Sequence, residues 1–112
     1  MPFVDTSEVK PITVLPGWSG RFVHSKNMTF VYYEVETGAQ PVHEHDHPQE
    51  EVWNVLEGEI EVTIDDLTQI AGPGCMAIVP AGVRHSVRVL RACRVIVVDY
   101  PTREPFTHSS DN

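Results

Sequence analysis

No run of apolar residues approaches the roughly 18 that a membrane-spanning helix needs, and Met1-Pro2-Phe3-Val4-Asp5 has neither the basic nor the apolar region of a secretory leader. The chain is therefore expected to work in the cytoplasm, with no membrane partner. Basic residues are scarce, 8 Lys and Arg against 16 Asp and Glu, for a formal charge of -8. A field of that sign repels a phosphate backbone, which argues against nucleic acid. There are only two cysteines, Cys75 and Cys93. Both fall in β-rich segments, and without an export signal they read as reduced thiols, Cys75 as a packing residue. No stretch keeps a helical period for more than a turn or two. With 112 residues there is room for one domain, its core spanning about residues 10–100.

What the chain does have is a series of short β-branched and aromatic runs punctuated by Gly and Pro, the pattern of a sandwich or barrel. Pro11 and Pro16 bracket Ile12-Thr13-Val14-Leu15, which reads as a brief edge strand open to a partner chain. Two more β-rich runs follow, at 21–24 and 28–35. His24 reads as a surface or core-edge histidine, and Tyr32 is a candidate wall residue for an internal cavity. Ile60, Val62 and Ile64 alternate with Glu59, Glu61 and Thr63, a half-buried antiparallel strand with its acids in water. His85, Val87 and Val89 share one side of a further run. Residues 93–100, apolar on both faces, read as a central strand. The polar tail from about 104 to 112 is expected to be mobile.

Chemistry concentrates between Gly38 and Gly58, where His43, His45, His47, Glu50 and Glu51 lie within nine residues. Side chains two apart on an extended strand share a face about 6.5 to 7 Å apart along the chain. His45 and His47 can therefore turn towards one point, close enough to share a cation bonded at about 2 Å. Glu51 adds a hard oxygen ligand and shares the parity of Trp53 and Val55. Further on, Gly74 to His85 forms a turn, a short apolar strand, a Pro80-x-Gly82 turn and a histidine that can supply a fourth ligand.

These two stretches resemble the paired motifs of the cupin superfamily, G-x5-H-x-H-x3,4-E-x6-G and G-x5-P-x-G-x2-H-x3-N. His45, His47, Glu51 and Gly58 fit the first, with Gly38 one residue further from His45 than the pattern has it. Gly74, Pro80, Gly82 and His85 fit the second, with Val89 in place of Asn. Pairing His43 with His45 restores the distance to Gly38 but spoils that to Glu51, which leaves His43 as the alternative ligand. The resemblance implies an all-β double-stranded β-helix, a jelly-roll barrel. In its mouth His45, His47, Glu51 and His85 would bind one divalent metal, one of Fe, Mn, Co, Ni or Zn.

It further implies a metal-dependent enzyme acting on a small oxygen-rich metabolite, such as a sugar acid, keto acid or diol, by isomerase, dioxygenase or lyase chemistry. The alternative is a non-catalytic, metal-containing barrel that binds or senses a small ligand. Trp53 and Tyr32 are candidate substrate contacts. Arg103 is a third, because Pro101-Thr102-Arg103 resembles the ending of the short cupins of uronate breakdown, although Val97 and Asp99 stand where that subgroup carries an acid and an aromatic. A homodimer is expected from the same resemblance.

Overall fold

A computed structural model describes residues 2–104; the expected mobile tail from 105 onwards lies outside them. Apart from one 3-10 turn, Thr6–Glu8, capped by the Asp5 carboxylate accepting from the Ser7 amide at 3.0 Å, every described element is a strand. In order these are β1 Ile12–Leu15, β2 Trp18–His24, β3 Thr29–Val35, β4 Val42–His45, β5 Glu50–Ile64, β6 Leu67–Ala71, β7 Met76–Val79 and β8 His85–Tyr100. All pairings are antiparallel. The fold is the expected jelly-roll barrel, an all-β double-stranded β-helix.

β5 and β8 organise it. Each has the sequence pattern of two strands, and each is continuous. Their pairing runs from Glu50↔Tyr100 to Ile64↔His85. The first half of β5 and the second half of β8 belong to one leaf, ordered β1-β2-β3-β8-β5-β7; their other halves belong to a second leaf, ordered β4-β8-β5-β6. Register slips between Val55 and Ile60 mark where the pair crosses between leaves. Gly58 is required there: its φ is +81°, and a Cβ would collide with the Ala92 carbonyl oxygen and lie 2.6 Å from Cys93 Cα.

The core follows from strand parity. Val31, Tyr33 and Val35 of β3, Trp53 and Val55 of β5, and Val95 and Val97 of β8 all point inward and are buried. Trp18 meets Tyr33 edge-on at 5.4 Å and Trp53 at 5.9 Å, while Tyr33 and Trp53 stack at 6.5 Å. Each such pair contributes about 0.5–1.5 kcal/mol beyond the area it buries. These rings form the floor beneath the polar residues described next.

Candidate metal centre

His45 ends β4, His47 follows in the connection to β5, Glu51 is the second residue of β5, and His85 opens β8. Pairing of β4 with β8 sets His45 directly opposite His85. The ring centroids lie 4.4 Å apart for His45 and His85, 4.8 Å for His47 and His85, and 5.3 Å for His45 and His47. Ligand-capable atoms of the three are all within 4.8 Å of one another. His43, the alternative ligand, is exposed and stays outside this cluster; its carbonyl oxygen instead accepts from His45.

The tautomers follow from the backbone. His45 Nδ1 lies 2.8 Å from the His43 carbonyl oxygen, His47 Nδ1 3.2 Å from that of Gln49, and His85 Nδ1 2.9 Å from that of Val83. A carbonyl only accepts, so each neutral ring carries its proton on Nδ1 and leaves a lone pair on Nε2. All three Nε2 atoms are buried without a hydrogen-bond partner. The Glu51 carboxylate closes the group, Oε1 at 3.3 Å from His85 Nε2 and Oε2 at 3.5 Å from His47 Nε2. Three lone pairs and an anion gathered in a buried pocket repel one another unless a cation joins them. The donor set therefore fits a divalent metal, with carbonyls holding the rings as such sites require.

Glu51 is itself held. Trp53 Nε1 donates to Oε1 at 2.8 Å and an Arg103 guanidinium nitrogen donates to Oε2 at 3.2 Å. Burial disfavours its charge, but the hydrogen bonds it accepts, from Asp99 and Trp53 among them, outweigh that and keep its carboxyl well below the usual range. Arg103 is fixed through its backbone, since its amide donates to Thr29 Oγ1 at 2.8 Å and its carbonyl accepts from the same hydroxyl. His24 bonds that hydroxyl and lies outside the metal cluster. The carboxylate that Arg103 meets is thus the chain's own Glu51.

Sequence reasoning missed Asp99. It faces Glu51 across the β5–β8 pair and is 2% exposed. Burial, then the hydrogen bond to Glu51 and the charge beside it, push its carboxyl up to about 9 against the opposing pull of Arg103. His47, Glu51 and Asp99 form a second group of metal-capable atoms sharing His47 with the first. The signal was there: Asp99 has the inward parity of Val95 and Val97. Tyr32 needs correcting for the same reason. It has the outward parity of β3, with Arg94 over its ring at 5.3 Å and bonded to its hydroxyl. Tyr33 is the tyrosine that lines the interior, where burial raises its phenol pKa.

Beside His45, Glu51, Asp99 and Arg103 lies a cavity of about 40 Å³ whose remaining wall is largely apolar, including Trp18, Phe22, Val31, Tyr33, Val42 and Val97. The wall's indole donors are already committed, Trp18 Nε1 to the Gln40 carbonyl at 2.7 Å and Trp53 Nε1 to Glu51.

A barrel with histidines and a carboxylate converging at one end defines a class of metal-capable jelly rolls. Residues 30–99 match the family model of the cupin domain, and the chain belongs to the cupin family. Among solved structures it is similar to an RmlC-like cupin from Shewanella frigidimarina, at 22% identity and a TM-score of 0.85, covering 93% of this chain and 94% of that one. It is also similar to KdgF from Halomonas sp., at 21% identity and a TM-score of 0.83, covering 90% and 95%. Oxalate decarboxylase from B. subtilis matches 97% of this chain over 30% of its own length, at 21% identity and a TM-score of 0.77. At these identities the likeness establishes the fold. No curated protein matches the chain.

Proposed function

We propose that this cupin is a metal-dependent enzyme acting on a small oxygen-rich acid, with His45, His47, His85 and Glu51 as metal ligands. The observation that carries the reading is the convergence of three buried, partnerless Nε2 atoms beside a carboxylate. A divalent ion held there would act as a Lewis acid and as a template for paired substrate oxygens. The chain's own residues do the rest. Backbone carbonyls fix the imidazole tautomers, Trp53 and Arg103 orient Glu51, and Asp99 stands next to it with a proton to hold or give.

The apolar wall narrows the substrate. A polyhydroxylated sugar acid needs hydrogen-bond partners for each buried hydroxyl, and unpaired ones cost about 1–3 kcal/mol apiece. A keto acid with a short apolar tail suits the wall better than a sugar acid or a diol. A structural neighbour, oxalate decarboxylase, is by its name an enzyme of a small oxygen-rich acid. Trp53 serves as a floor residue, and Arg103, which lines the cavity while bonded to Glu51, is the cation a substrate carboxylate would share.

The test is elemental analysis of protein purified without an affinity tag, followed by turnover assays on keto, sugar and hydroxy acids under each of Fe, Mn, Co, Ni and Zn. Stoichiometric metal in the wild type and in His43→Ala, with loss in His45→Ala, His47→Ala and His85→Ala, is the expected result. Metal retained in all of these variants would remove the site. Ligand binding without conversion under every metal would favour the sensing barrel instead.

A further inference from the structure

Asp99 lies outside both sequence motifs, yet the fold sets it among groups that can hold a metal. Its register partner on β5 is Glu51, so two carboxylates, 2% and 3% exposed, face each other inside the barrel. His47 completes the set, with its Nε2 at 3.5 Å from Glu51 Oε2. One ligand-capable atom from each of the three lies within 4.8 Å of the others. The imidazole group of His45, His47 and His85 meets the same limit, and His47 is the member common to both.

Two atoms of the carboxylate group lack a partner. His47 Nε2 carries a lone pair, and Asp99 Oδ1 is likewise buried with no hydrogen-bond partner. Native folds rarely leave a buried acceptor in that condition, and each such atom calls for an explanation, an ion among them. Two carboxylates side by side in a buried pocket also repel unless something positive joins them, which a divalent cation does. We propose that His47, Glu51 and Asp99 form a second station for a divalent cation, beside the imidazole site and sharing His47 and Glu51 with it.

The two stations differ in donor chemistry. Three imidazoles with one carboxylate suit Zn or Ni, whereas one imidazole with two carboxylates suits the harder Mn. The Nδ1 of His47 is turned to the Gln49 carbonyl, so this ring has a single lone pair to give, on Nε2. A cation at one station therefore excludes a cation at the other. The chain holds one ion, and the metal supplied decides which side chains hold it. With three protein donors against four, the second station is the weaker for any metal that both accept.

This inference rests on the metal-binding reading above, and its test separates the two. Chelator-treated full chain is titrated with Zn, by competition with a chromophoric chelator, and with Mn, by loss of the free-ion EPR signal. The proteins are wild type, Asp99→Asn and His85→Ala; Asn keeps the size of Asp99 and loses its charge. Asp99→Asn should bind Mn at least about 10-fold more weakly and Zn as the wild type does, the retained Zn showing that the barrel is intact. His85→Ala should show the reverse. The wild type should bind one ion in total, with Zn displacing Mn. Equal losses of both metals in Asp99→Asn would make Asp99 a prop for Glu51, and unchanged Mn binding in that variant would remove it from coordination. Two ions bound at once would show that His47 is not shared. Each of these would overturn the second station while leaving the imidazole site standing. A wild type that binds neither metal would overturn both.

Discussion

Trp53 serves core and site at once. Its ring stacks on Tyr33 at 6.5 Å and meets Trp18 at 5.9 Å, while its Nε1 donates to Glu51 Oε1 at 2.8 Å. Trp53→Phe keeps an aromatic ring but removes that donor together with part of the buried indole. Groups that orient a ligand typically govern about 10- to 100-fold in metal affinity, and a loss of that size is expected, measured by competition with a chromophoric chelator. Folding should change far less, since most of the buried ring remains. An affinity equal to wild type would mean that Arg103 alone suffices to hold Glu51. The proposed ligands were legible because His45, His47 and Glu51 come closely spaced just ahead of an apolar run, and His85 opens a second β-rich run behind a Pro-x-Gly turn. Asp99 and Tyr33 were not singled out. Each sits in a run where both faces are apolar or aromatic, so hydrophobicity alone gave no side, and only parity from a neighbouring buried residue decides.

The long strands depend on one glycine. At Gly58 the β5–β8 pair slips register, and both the +81° φ and the Ala92 carbonyl oxygen, which stands where a Cβ would go, exclude a side chain. Gly38, with the same φ, has nothing within 4 Å of a Cβ. Gly38→Ala should therefore cost only the left-handed penalty, about 1–2 kcal/mol. Gly58→Ala should cost more than that, at least about 3 kcal/mol, because backbone must move as well. Denaturant titration of the two variants separates the terms, and equal losses would show that the crossing between leaves yields freely. This crossing was also the part of the fold that the sequence concealed. A glycine between two alternating runs reads as a turn, and only the partner strand reveals that the chain continues through it as a bulge. The turns at Asp65-Asp66 and Gly72-Pro73-Gly74 carried their own chemistry and fell where that chemistry puts them.

Across the whole molecule, Glu51 and Asp99 face each other inside the barrel with opposite shifts, and this sets how stability follows pH in the metal-free protein. Asp99 holds its proton more tightly folded than unfolded. Its contribution is complete below the ordinary value of 3.8, declines as pH rises, and is gone above about 9. Glu51, held low, contributes stability that is present above its ordinary value of 4.5 and is lost as pH falls below it. Together the pair favours mildly acidic conditions, and because the two share one proton the transitions belong to the pair. The melting temperature of chelator-treated protein should therefore fall steadily from about pH 5 to pH 9. Asp99→Asn cannot lose a proton and keeps a hydrogen-bond donor for Glu51, so it should flatten that limb while leaving the acid limb in place. A wild-type profile that is flat from pH 5 to 9, or an Asn variant with the wild-type slope, would show that Asp99 is ionised in the fold and that Arg103 has overcome its burial.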